Sequence, residues 1–197
     1  MIGTMKSTDL LLEDHKNILG ALDVLAEIAA RAERGQIVNQ EDVESVLDFL
    51  KGFGDQHHQG KEEHLLFPAL LRDRAQKNYP ELCALVFEHD RHRSLVEGLS
   101  ESMVTKHTKD LVYYAKRLNE ILRAHIKQEE EGLFPLVDSA LSTAEDEIVA
   151  LDMQAYDSVW QERELSTQLR KLADMKSKYL ANSSSQPSSQ PVARGQG

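Results

Sequence analysis

The sequence predicts an all-α protein: an antiparallel four-helix bundle with an additional C-terminal helix. Three observations carry that prediction. Apolar residues recur at three- and four-residue steps through most of the chain, the mark of helices that bury one face. The five prolines and ten glycines are few for 197 residues and lie mostly between or beyond those periodic segments. The connections joining the first four segments are short, which in a bundle sets consecutive helices antiparallel.

Ser7 or Thr8 is the expected N-cap of the first helix, where Leu11, Leu12, His15, Ile18, Leu19, Leu22, Leu25 and Ala29 share a face. Gly35 marks its end. The second helix starts near Asn39-Gln40-Glu41-Asp42, carries Val43, Val46, Leu47, Leu50 and Phe53, and ends around Arg72. Pro80 suits the first turn of the third, where a missing N–H costs nothing; that helix carries Leu82, Leu85, Val86, His89, Val96 and Leu99. The fourth starts near Thr108 and runs through Leu111, Tyr114, Leu118, Ile121, Leu122 and His125. Phe67-Pro68 and Phe134-Pro135 fall late in their segments, so each should kink or restart its helix.

A fifth segment follows from about Ala144 to Leu180. Leu165, Leu169, Leu172, Met175 and Tyr179 form a coiled-coil-like stripe along it, suited to packing on the bundle or to a homodimer through the C-terminal helix. The expected organisation is a bundle over 1–140, a helical extension over 141–181, and a disordered Ser/Gln/Pro tail over 182–197.

Composition narrows the partners. A hydrophobic content of 41% supports a core, while a net charge of -10 would repel a phosphate backbone and argues against nucleic acid. No apolar run approaches the ~20 residues a membrane helix needs, and the N-terminus lacks the basic-then-apolar order of a secretory signal. The single cysteine, Cys83, makes neither an intrachain disulfide nor a thiolate metal site. These features together predict a cytoplasmic protein without a membrane role.

The eight histidines are the unusual component. His58 with Glu62, and His125 with Glu129, are spaced four apart and project from one helix face as pairs. His15, His89 and His125 fall on the apolar stripes of their helices. In the second helix Leu47 and Leu50 share the His58 face, while Phe49 and Phe53 align better with His57. Burying an unpaired polar side chain costs on the order of 1–3 kcal/mol, and a carboxylate more. Four buried histidines and two glutamates are therefore expected to share a bound metal. Chain reversal brings the early His15 level with the late His58, and the early His89 level with the late His125. The order His, then His-x-x-x-Glu, occurs twice, which predicts a pseudo-twofold site for two metal ions. Imidazoles and carboxylates without thiolates suit Fe, Mn or Zn, and carboxylates bridging between helices are the usual construction of a di-iron centre.

Four stretches carry a resemblance: EDHKNI around His15, HHQGKEEHLLFP, EHDRHR around His89, and HIKQEEEGLFP. Over roughly residues 8 to 138 they resemble the hemerythrin-like (HHE cation-binding) family. The resemblance implies a four-helix bundle holding two non-haem Fe ions with an oxo or hydroxo bridge. By position the implied metal ligands are His15, His58, Glu62, His89, His125 and Glu129, histidines terminal and glutamates bridging. The oxygen-carrying members use five histidines; His92 is the candidate fifth, and His57 a weaker one, since it points about 100° away from His58. His64 and His107 read as surface residues. The implied partner is a small diatomic or peroxide ligand (O2, nitric oxide or peroxide), met in sensing, scavenging or carriage. The alternative is an iron-dependent regulatory or iron-centre repair module without redox turnover. Iron-centre repair proteins usually carry an additional Cys-containing N-terminal segment, not seen ahead of this bundle.

Overall fold

The computed structural model describes residues 6–72, 80–160 and 162–181. The predicted tail over 182–197 lies outside the described residues. Helix α1 is Ser7–Glu33. Helix α2 spans residues 40–71: α-helical over Gln40–Phe49, π-helical over Leu50–Gln59 and Glu62–Leu66, and α-helical again over Phe67–Leu71. Helix α3 is Pro80–Thr105. Helix α4 spans residues 108–140, with a π turn at Glu129–Leu133 between Thr108–Gln128 and Phe134–Ala140. The C-terminal segment is divided into α5, Thr143–Val159, and α6, Glu162–Leu180, rather than forming one helix. No strand occurs among the described residues, and none of these helices is long and apolar enough to cross a membrane.

Local chemistry sets most of the boundaries. Helix α1 begins one residue before the expected cap: Lys6 is the N-cap, and its N–H donates to the Asp9 carboxylate at 3.2 Å. Ser7 instead bonds the Asp146 carboxylate of α5. At the other end Gly35 adopts φ +72°, and the Gly35 and Gln36 N–H groups donate back to the Ala32 and Arg31 carbonyls. This is a Schellman termination, and it needs the left-handed residue glycine supplies. Asn39 caps α2 by accepting from Glu41 N–H at 2.8 Å. Ser142 and Glu145 form a reciprocal capping box at the start of α5.

Two apolar layers make the core, with a polar belt between them. One layer takes Ile18 to Ala32 of α1, Val43 to Phe53 of α2, Val96 and Leu99 of α3, and Leu111 to Ile126 of α4. The other takes Leu11, Leu66, Phe67, Leu70, Leu82, Leu85, Leu133, Phe134 and Val137. His15, His58, His89 and His125 all fall at the levels between. Val86, placed on the core face by periodicity, is 37% exposed. Tyr114 lies over Gly98, where an added Cβ would sit 2.5 Å from its ring.

The C-terminal helices close one side of the bundle. Leu172, Met175 and Tyr179 of the α6 stripe are buried in the first layer, with Leu165 and Leu169 packed against it. That stripe therefore packs on this chain's own bundle. The Tyr179 hydroxyl and Lys178 ammonium both bond Asp42, and Arg31 sits 4.6 Å over the Tyr179 ring. Helix α5 adds Val149 and Met153 to the second layer.

Candidate metal centre

The two Leu-Phe-Pro repeats shape the backbone beside the belt. Proline at 68 and 135 cannot donate a backbone hydrogen bond, so a regular α-helix loses a rung there. The chain answers with a π turn immediately before each proline. Phe67 N–H reaches five residues back to the Glu62 carbonyl, and Phe134 N–H to the Glu129 carbonyl. Each helix is thus widened at the glutamate itself, and π turns of this kind recur at functional sites. The phenylalanines then cover the belt. Phe134 stacks on His15 with ring centroids 5.4 Å apart, and Phe67 stacks on His89 at 6.2 Å.

All six residues singled out from the sequence converge. His15, His58, Glu62 and Glu129 offer ligand atoms within 4.8 Å of one another, and so do Glu62, His89, His125 and Glu129. The two sets share both glutamates, and all six side chains are buried. The Nε2 atoms face inward: His15 Nε2 lies 3.3 Å from Glu129, His58 Nε2 3.7 Å and His89 Nε2 3.5 Å from Glu62, and His125 Nε2 2.9 Å from Glu129.

Every inward ring is held by a carboxylate at its other nitrogen, and the four carboxylates run in a ring around the bundle. Asp14 of α1 holds His58 of α2 at 3.4 Å, and Glu63 of α2 holds His89 of α3 at 2.6 Å. Glu88 of α3 holds His125 of α4 at 2.7 Å, and Glu130 of α4 holds His15 of α1 at 2.9 Å. An ionised carboxylate only accepts, so each Nδ1 carries the proton. Each ring, when neutral, then presents an Nε2 lone pair to the centre. This is the arrangement that fixes the tautomer and orientation of metal-binding histidines. These four acids escaped the sequence reading, although each adjoins one of the six residues in the chain. Adjacency was the available signal, but each acid serves a histidine on the next helix.

With its rings neutral, a centre made this way has lone pairs and no donors. His89 Nε2 and His125 Nε2 face each other at 3.1 Å. His15 Nε2 and all four carboxylate oxygens of Glu62 and Glu129 receive no properly directed hydrogen bond among the described residues. Two buried carboxylates side by side repel. Burial, and then the neighbouring Glu129 charge, push the Glu62 carboxyl well above the usual range. Burial also acts to raise Glu129, but the charge His125 takes up beside it outweighs that, with His15 and His89 adding to the effect, and holds the carboxyl well below its ordinary value. His125 is raised in turn, burial being outweighed by Glu129. Burial lowers His58 to about 4 despite the bond to Asp14. Cations between the lone pairs satisfy every one of these orphaned atoms, so the residues fit a metal pair.

The remaining histidines stand apart from the two sets. His57 is buried on the outer side of α2, where its Nε2–H donates to Asp157 of α5 at 2.7 Å. Its ring packs on Phe53 at 5.0 Å, as the phenylalanine stripe suggested. His92 lies 4.6 Å from the His125 ring, contacts the Gln59 amide at 3.1 Å, and keeps Nε2 without a partner. Burial, with the nearby His125 and His89, lowers His92 to about 2. His64 and His107 are exposed.

A family model described as hemerythrin HHE cation binding domain matches residues 6–137. Neither the curated proteins nor the solved structures yield a match.

Proposed function

Because the chain belongs to the hemerythrin HHE cation-binding family, we propose that its belt holds two non-haem iron ions and meets O2, peroxide or nitric oxide there. His15 and His58 would hold one iron and His89 and His125 the other, with Glu62 and Glu129 shared between them. The observation that carries this reading is the pair of four-residue sets sharing two glutamates whose oxygens have no other partner. Iron, when bound, supplies one-electron redox chemistry and open coordination positions.

The chain's own residues supply the rest. Asp14, Glu63, Glu88 and Glu130 hold the rings so that each Nε2 stays a lone-pair donor. Phe67, Phe134 and the two apolar layers keep bulk water from the glutamates. A cavity of about 340 Å³ reaches the belt beside His58 and His125. Its walls include Ile18, Leu50, Val96 and Leu122, with Lys51 and Arg93 also lining it. Several times the roughly 30 Å³ a water molecule occupies, it admits a diatomic or peroxide together with solvent.

Metal analysis of the purified protein tests the reading. About two iron atoms per chain, with visible absorption that changes on adding peroxide or nitric oxide, are expected. Zinc alone or no metal overturns the di-iron assignment. Two irons with no spectral response to any of the three ligands overturn the reactive role.

A further inference from the structure

The four carboxylates that hold the histidine rings differ in what stands behind them. Glu63 accepts from Arg93 at 2.7 Å as well as from His89, and Arg93 is shared with Asp55 at 2.7 Å and Asp90 at 2.9 Å. All of those residues belong to α2 and α3. Asp14 is backed by Lys61, whose ammonium lies 2.6 Å from Asp14 Oδ2 and whose side chain is only 1% exposed. A buried ammonium is costly unless fully paired. Its second acid comes from outside the matched region: Asp157 of α5 lies 3.2 Å from Lys61 Nζ and also accepts from His57.

Helix α5 is seated on this spot by fit. A Cβ at Gly60 would meet the Tyr156 hydroxyl oxygen at 2.5 Å, so any larger residue there would displace that hydroxyl. Tyr156 uses the room to donate to the Gln56 carbonyl at 3.0 Å. Trp160 packs edge-on against His57 with centroids 5.7 Å apart.

We propose that Asp157 is a positioning residue of the metal centre, acting through Lys61 and Asp14 on the ring of His58. Lys61 Nζ and His58 Nδ1 address the same oxygen, Asp14 Oδ2, at 2.6 and 3.4 Å. They compete for it. A Lys61 shared between two acids draws less on that oxygen than a Lys61 held by Asp14 alone. Without the Asp157 charge, Lys61 turns fully to Asp14, and Asp14 Oδ2 becomes a weaker acceptor for the His58 Nδ1–H. His58 then holds its ring less firmly and offers a less basic Nε2. His89 and His125 have no contact with this route, and His15 meets it only at the His58 ring and through its neighbour Asp14, so the effect belongs to the His15–His58 half.

The inference rests on the two-metal reading, and anaerobic Fe(II) titration of the full chain separates the two. Wild-type protein that shows no two-step binding overturns the metal reading and the positioning role with it. Given two steps, Asp157→Asn is expected to weaken one roughly tenfold, the low end of what outer partners of metal ligands contribute, and to leave the other unchanged. In metal-free protein the same variant shifts the imidazole ¹⁵N signals of His58 but not those of His125. On a Lys61→Met background the substitution has no further effect, because the intermediary is gone. Tyr156→Phe, which loosens α5 without changing charge, leaves both steps as they are. The proposal fails if Asp157→Asn moves neither step nor the His58 signals, if it weakens both steps equally, or if Tyr156→Phe reproduces its pattern.

Discussion

The His15–His58 half of the belt and the His89–His125 half repeat one pattern of ligand-type residues and differ in what surrounds them. In each, the rings meet edge to face, at 4.8 and 4.9 Å, and a phenylalanine from a Leu-Phe-Pro repeat stacks on the histidine whose helix carries neither Glu62 nor Glu129. The surroundings break the symmetry. His58 is held by a long bond to a buried aspartate backed by Lys61 and the C-terminal extension. His125 is held by a short bond to Glu88, whose side chain is 30% exposed. It also has His92 beside it, whose Nε2 has no partner among the described residues. A repeated sequence pattern can therefore hold two chemically distinct positions, because the distinction is made by groups outside the repeat.

The largest expected effect removes the comparison altogether. Glu62 and Glu129 belong to both halves, so Glu62→Ala or Glu129→Ala should lower the metal content from two ions per chain to none by elemental analysis. A protein that keeps one ion shows the halves to be independent. Chelation should be felt almost as strongly. At metal concentrations 1,000-fold above Kd, binding stabilises the fold by about 4 kcal/mol. For a chain of this size, stripping the metal should lower Tm by roughly 10 °C in calorimetry.

The acids behind the rings sharpen the contrast. Asp14→Asn and Glu88→Gln should each weaken metal binding by about 10- to 100-fold. Only Asp14→Asn should also lower the Tm of metal-free protein, because it deprives the buried Lys61 of a partner, whereas Glu88 is half-buried and pairs with His125. Equal melting of the two variants would remove the asymmetry claimed here. The smallest effect is expected for Tyr156→Phe, which loses one hydrogen bond on the His58 side, worth about 0.5–1.5 kcal/mol in chemical denaturation.

Much of the architecture was legible in particular residues. The apolar stripes of α1 and α4, the left-handed Gly35, the Asn39 cap and the first-turn Pro80 follow from local rules that act within a few residues. The two His-x-x-x-Glu pairs were legible for the same reason, since residues four apart share a helix face. Val86 misled because a helical stripe is read from periodicity, while exposure depends on whether a neighbouring helix covers that level. The division of the C-terminal segment into α5 and α6 was not visible in its continuous apolar spacing.

The sequence by itself determined that this chain makes helices, which faces most of them bury, and where imidazoles and carboxylates fall along them, with His57 and His58 both eligible on α2. All of that is set by spacing along one chain segment. Only the tertiary structure decided which acid holds which histidine, since Asp14 sits beside His15 in the chain but holds His58 across a helix boundary. It also decided that Lys61 is buried between Asp14 and Asp157, residues far apart in the chain. Such pairings depend on how helices rotate against one another, and the π turns at Glu62 and Glu129 alter that rotation at the belt.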